Sequence, residues 1–67
     1  MIALPIELDK MFSHNEEARE FFTSLSIINQ KEYLSWIQGA KKEETKQKRL
    51  EATLEKLMAG KNNPSEK

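Results

Sequence analysis

The 67-residue sequence lacks the residue types from which small proteins build covalent or metal cross-links. It contains no cysteine and one histidine, His14. The absence of cysteine excludes disulfides and thiolate zinc sites, and a single imidazole cannot assemble a metal site alone. A chain this short buries only about 60% of the surface that its unfolded form exposes. We therefore expect a small core stabilised by helix packing, helped by self-association, with no cofactor and no metal.

Long apolar runs and an excess of charge of one sign are also absent. The N-terminal residues have no basic segment followed by a long apolar one, and no run of about 18 apolar residues occurs anywhere. We therefore expect a soluble cytosolic protein. Eleven Lys and Arg balance eleven Asp and Glu. Since the net charge is zero, it gives no reason to expect nonspecific attraction to nucleic acid or to anionic membranes, and any basic surface has to be local.

Glycine and proline number two each, and apolar residues recur at intervals of three and four. This spacing is typical of helices, and the alternation typical of strands is missing. The sequence therefore predicts an all-α fold, a compact bundle of about four helices. The predicted helices run from Pro5 to about Phe12, from a cap at Ser13 or Asn15 to about Ser24, from a cap at Ser26 to about Ala40, and from about Glu43 to Ala59.

The four helices are expected to form one domain over residues 1–60. Gly60 stands where a residue that ends a helix is expected, and the polar tail 61–67 is predicted to be disordered. Ile27 and Ile28 are expected to pack where the third helix begins. The residues predicted to form the core are Met11, Phe12, Phe21, Phe22, Leu25, Leu34, Trp36, Ile37, Leu50, Leu54 and Leu57.

Residues 32–49 join an aromatic amphipathic run to a basic one, and this junction is the expected binding surface. Tyr33 and Trp36 share a helical face because they lie three residues apart. Each ring either packs in the core or stacks on a ligand, and core packing is the more common role for a tryptophan at helical spacing.

The fourth predicted helix is polarised in charge across its width. Lys42, Lys46, Arg49 and Lys56 fall on one flank, and Glu44, Glu51 and Glu55 fall on the other. The basic flank is either a solvated face, which is the usual role of a charge run, or a surface for a phosphate, an acidic peptide or a nucleic-acid backbone.

Thr45 lies four residues before Arg49, so its hydroxyl either orients the guanidinium or helps to satisfy the helix start. The candidate binding residues are Tyr33, Trp36, Lys41, Lys42, Thr45, Lys46 and Arg49.

Catalytic groups are difficult to assemble from these residues. A nucleophilic Thr45 would need a nearby base, and the only histidine lies in the turn near residue 14. The adjacent glutamates at 16–17 and 43–44 diverge on a helix and complement helix N-termini. We therefore expect a noncatalytic protein.

Three segments of the sequence resemble the C-terminal helical region of the YdeI/OmpD-associated family, also called bacteriocin-protection proteins. They are LPIELDKMF, NEEAREFFTSLS and EYLSWIQGAKKEETKQKRLEATLEKLMAGK, which span about residues 4–61. The most specific part is the spaced series Tyr33-Leu34, Trp36-Ile37, Ala40-Lys41, Glu44-Thr45 and Lys48-Arg49, followed by Leu57 and Gly60. The resemblance implies a bacterial protein linked to protection against bacteriocins or other cationic antimicrobial peptides.

The resemblance carries over Trp36, Lys41, Thr45 and Arg49 as surface or structural determinants. The predicted function is a noncatalytic interaction module, a bacteriocin-protection or stress accessory that binds an unidentified protein partner at the junction of the third and fourth helices. Direct capture of a cationic peptide would instead suit the acidic flank. The alternative is a small nucleic-acid-binding domain in which Tyr33 or Trp36 stacks on bases. Its phosphate contacts would come from Lys41, Lys42, Lys46, Lys48 and Arg49.

Overall fold

The computed structural model describes residues 4–65. The helices are α1 (Ile6–Ser13), α2 (Glu16–Ser24), α3 (Ile27–Gln38) and α4 (Glu43–Met58). This part of the chain contains no strand, so the prediction of an all-α fold with four helices is confirmed. The largest difference in a helix boundary is at α3, which ends two residues before the predicted Ala40. Glu66 and Lys67, the last two residues of the predicted tail, lie outside the described residues.

Helix α4 is the longest, and it packs against each of the other three helices, while α1 also packs against α2. The core is built around a row of aromatic rings. The centroids of Phe12 and Phe22 lie 5.3 Å apart, and those of Phe22 and Tyr33 lie 6.2 Å apart. These tilted contacts join α1, α2 and α3 in the geometry that aromatic pairs favour.

All eleven predicted core residues belong to the core or pack against it. The buried set also includes Leu8, Ala18, Tyr33 and Thr53. Thr53 is a buried polar residue whose hydroxyl donates to the carbonyl of Arg49 at 2.7 Å, one turn earlier on α4. Because this bond satisfies the hydroxyl locally, the threonine tolerates full burial.

The predicted caps have different outcomes. Ser26 accepts a hydrogen bond from the backbone N–H of Asn29 at 3.2 Å, so its role as the cap of α3 is confirmed. Asn15, one of the two residues predicted to cap α2, occupies the N-cap position, but neither its side chain nor that of Ser13 makes a capping hydrogen bond. The Ser13 hydroxyl donates to the Lys10 carbonyl at 2.7 Å, and the Asn15 amide donates to the Met11 carbonyl at 2.9 Å. Both side chains therefore satisfy the C-terminus of α1 instead of the N-terminus of α2.

Gly60 ends α4 as predicted, with a φ of 79°. Its N–H donates to the Leu57 carbonyl, and the next N–H, from Lys61, donates to the Lys56 carbonyl at 2.9 Å. This pair of bonds is the Schellman motif, which requires a left-handed residue at this position and so favours glycine.

Candidate interaction surface at the junction of α3 and α4

Tyr33 is fully buried. Its hydroxyl donates to the carbonyl of Lys61 at 2.7 Å, so it links α3 to the segment that follows α4. The expectation that the Tyr33 ring could be presented to a ligand is therefore corrected. Its phenol is a core residue that holds the chain where the predicted tail begins.

Trp36 is partly exposed, packs against the core, and has two cations of α4 near its ring. The guanidinium carbon of Arg49 lies 5.5 Å from the ring centroid, and the Lys56 ammonium lies 5.8 Å from it. Both distances are within the range of cation–π attraction. Lys56 follows Arg49 by seven residues, so the two share a helical face, and this spacing could have identified Lys56 as part of the site.

Arg49 also binds the end of α3. Its Nη1 donates to the Trp36 carbonyl at 2.6 Å, which satisfies an acceptor in the last turn of the helix. A Cβ atom at the neighbouring Gly39 would lie in ordinary contact with Nη1, at 3.7 Å, but only 3.0 Å from the Ser35 carbonyl oxygen, so glycine avoids crowding within α3. Arg49 is therefore a structural residue that joins α4 to α3.

Lys46 of the basic flank pairs with a carboxylate of α1. Its ammonium lies 2.6 Å from the Glu7 carboxylate of α1. The hydrogen bond to Lys46 lowers the pKa of Glu7, and the same bond raises the pKa of Lys46. The pair connects α1 to α4, so Lys46 is already neutralised and does not extend the cationic surface.

Lys41 and Lys42 lie in the connection between α3 and α4, where both are exposed. Neither forms an ion pair with any residue in 4–65. Thr45 is half-buried in the first turn of α4. Within the same part of the chain no hydrogen bond joins Thr45 to Arg49, whose guanidinium is directed to the Trp36 carbonyl.

The structure thus brings Trp36 and Arg49 together, and it leaves Lys41 and Lys42 exposed and without an ion pair among residues 4–65. Two of the five cations proposed to contact phosphates, Lys46 and Arg49, have intramolecular acceptors. A third, Lys48, has the Glu44 carboxylate at 3.5 Å. The local basic footprint is therefore smaller than the sequence predicts.

An open groove of about 670 Å³ runs along the outer face of α3, beside Trp36. Ile28 is 71% exposed at one end of this groove, so the expectation that Ile27 and Ile28 pack where α3 begins is wrong. We call this groove and its walls the α3 surface. It is lined by Ile28, Lys31, Glu32, Ser35, Trp36, Pro64 and Ser65.

The described residues contain neither a metal-binding cluster nor a membrane-spanning helix. No cluster of three or more histidine, aspartate or glutamate side chains between residues 4 and 65 is arranged to hold a metal ion. Over the same range, no helix has the length and apolar character needed to cross a bilayer.

These features define a small all-α domain whose exposed apolar and cationic residues follow one another along α3 and the connection to α4. The chain belongs to the family described as "Bacteriocin-protection, YdeI or OmpD-Associated", whose model matches residues 1–60. Neither the curated proteins nor the solved structures include a significant match to this chain.

Proposed function

We propose that this chain is a noncatalytic protein-interaction module, a bacterial accessory in bacteriocin protection or in a related stress response. The family description supports the link to bacteriocin protection. The proposed contact is the α3 surface together with Lys41 and Lys42, and the proposed ligand is a protein partner.

The observation that carries this proposal is the apolar pair formed by the exposed Ile28 and the partly exposed Trp36. They lie eight residues apart on α3, which is about 12 Å along a helix. Arg49 and Lys56 hold the indole from the α4 side. A tryptophan already fixed in position loses little conformational entropy on binding, and interface hot spots are enriched in such residues.

The two lysines after α3 suggest what the partner presents. Lys41 and Lys42 are exposed and lie just beyond the C-terminal end of α3. Charges at the edge of an interface accelerate association and select partners of opposite sign more than they add affinity. We therefore expect the partner to place acidic residues beside an apolar site.

A noncatalytic role agrees with the groups that line the groove. Ser35, Lys31 and Glu32 are all exposed, and the only histidine of the chain, His14, lies beyond the end of α1. A serine nucleophile needs a base within hydrogen-bonding distance. None of the described contacts supplies such a base to Ser35.

The proposal is tested by affinity capture from a bacterial lysate, with matched isoleucine variants as bait. Ile28 and Ile6 are exposed to 71% and 72% respectively, and each lies in the first turn of its helix. Aspartate is well tolerated in a first turn, so Ile28→Asp and Ile6→Asp should both fold. Ile28→Asp changes the α3 surface, and Ile6→Asp is the control.

We expect a protein that wild type and Ile6→Asp retain and that Ile28→Asp loses by at least tenfold, with no effect of nuclease. A Lys41→Glu/Lys42→Glu variant should also weaken capture and reduce its dependence on salt. Recovery that nuclease abolishes would contradict the proposal in favour of nucleic-acid binding. Equal capture by Ile28→Asp and Ile6→Asp would contradict the assigned surface.

A further inference from the structure

A second groove of about 500 Å³ lies between α1 and α4, away from the α3 surface. Its floor is formed by Met11, Leu50 and Leu54, and the carboxylates of Glu51 and Glu55 stand along its α4 side. Both glutamates are exposed, and neither has an ion-pair partner among residues 4–65. The groove therefore combines an apolar floor with unneutralised negative charge.

The other charges around this groove leave its character acidic. Glu7 is neutralised by Lys46, and Lys10 contributes one positive charge on the α1 side. A smaller depression shares His14 with the groove and continues the surface. Its walls are His14, Asn15, Glu16, Glu17 and Met58.

We propose that the groove between α1 and α4 docks a basic amphipathic helix of a protein partner. Two methionines, Met11 in the groove and the exposed Met58 beside it, suit an apolar helix face because their flexible, polarizable side chains adapt to the surface they meet. Lysines or arginines flanking the apolar stripe of that helix would pair with Glu51 and Glu55.

The length of the groove limits the length of the apolar stripe that the partner helix can place in it. Its α4 side runs from Gln47 to Glu55, and these eight helical steps span about 12 Å. It therefore accommodates about two turns, with apolar anchors at spacings of three, four and seven residues. This proposal is independent of the α3 surface, since none of its residues lines that surface.

The probe is a synthetic 14-residue peptide of leucine and lysine in which the leucines follow the helical spacing. Two reference peptides accompany it, one of the same composition in scrambled order and one with glutamate in place of lysine. Binding to the full chain is followed by fluorescence anisotropy at low and at moderate salt. Backbone amide shifts in NMR spectra locate the bound peptide.

The charge test compares two variants with the same change in net charge. Glu51→Lys/Glu55→Lys reverses the charge of two carboxylates in the groove. Asp9→Lys/Glu20→Lys reverses the charge of two exposed carboxylates that lie outside both this groove and the α3 surface. We expect the groove variant to weaken binding of the amphipathic peptide at least tenfold and the control variant to change it less than threefold. The perturbed amides should lie on α1 and α4.

Several results would overturn this proposal. They are equal binding of the scrambled peptide, equal weakening by both variants, perturbed amides on α3, or no binding by any peptide. A second copy of the chain as occupant is detected by sedimentation equilibrium of the protein alone. A dimer that Glu51→Lys/Glu55→Lys dissociates would also overturn the proposed occupant.

Discussion

At the scale of the single residue, the chain after α4 is positioned by Gly60 and Tyr33. The left-handed conformation of Gly60 turns the backbone so that the Lys61 N–H returns to α4. The carbonyl of Lys61 then accepts the Tyr33 hydroxyl, which comes from the core side of α3. A backbone conformation at one residue thus determines where the following segment meets α3.

Replacing Gly60 by alanine should destabilise the domain by about 1 kcal/mol, because a Cβ atom makes the left-handed conformation unfavourable. No atom of residues 4–65 lies within 4 Å of the position that this Cβ would occupy, so the expected cost comes from backbone conformation and not from packing. Gly60→Asn is the control, since asparagine visits this conformation more readily. Urea denaturation measures the free energy of unfolding of both variants. Equal stability of wild type and Gly60→Ala would contradict the left-handed role assigned to Gly60.

At the scale of the element, α4 is joined to its neighbours by two polar contacts on different sides. Arg49 binds the C-terminal turn of α3 through the Trp36 carbonyl, and Lys46 binds α1 through Glu7. The basic flank predicted from the sequence is therefore divided between two structural roles. Among residues 4–65, the cations of the junction without an ion-pair, hydrogen-bond or ring partner are those of the connection, Lys41 and Lys42.

Arg49→Met should lower the free energy of unfolding by about 1–2 kcal/mol, because the last turn of α3 loses a charge-assisted hydrogen bond and Trp36 loses one of its two cations. Arg49→Lys should recover only part of this loss, since lysine lacks the planar fork that reaches both the carbonyl and the ring. Urea denaturation followed by Trp36 fluorescence gives both values. A fully stable Arg49→Met variant would show that the contact contributes nothing.

The Glu7–Lys46 pair predicts a pH dependence. Because the pKa of Glu7 is lowered in the folded state, its contribution is complete above the ordinary value of about 4.5 and is lost as the pH falls through the lowered value. Because the pKa of Lys46 is raised, its contribution is complete below about 10.5 and is lost as the pH rises through the raised value. Both contributions are therefore present at neutral pH.

The stability difference between wild type and Glu7→Gln should therefore stay constant near neutral pH and shrink as the pH falls below about 4.5. Thermal unfolding at a series of pH values measures it. Glu20→Gln is a suitable control because Glu20 is exposed and has no ion-pair partner among the described residues. Parallel pH profiles for wild type and Glu7→Gln would contradict the pairing.

At the scale of the whole molecule, helical periodicity was sufficient to predict the four helices and the core residues, because three- and four-residue spacing places apolar side chains on one face. It could not decide between a buried and an accessible Tyr33, since that depends on the Lys61 carbonyl 28 residues away. The same limit applies to Lys46, whose partner Glu7 lies on another helix.

Short-range patterns failed where two elements compete for one side chain. Ser13 and Asn15 lie between α1 and α2, so either helix end could use them, and the carbonyls of α1 are their acceptors. The sequence predicts that Ile27 and Ile28 pack where α3 begins. They are exposed because α3 packs chiefly against α4, and the outer face of α3 remains uncovered. That uncovered face is the basis of the proposed interaction surface.

The most direct test of this account is photo-crosslinking in bacterial cells, with a benzophenone amino acid placed at position 28 or, as the control, at the exposed position 20. We predict a discrete protein adduct from position 28 and none from position 20. The adduct should disappear when Lys41 and Lys42 are both changed to glutamate. Adducts of equal yield at both positions, or a position 28 adduct that contains nucleic acid and no protein, would contradict the assignment of α3 as a protein-binding surface.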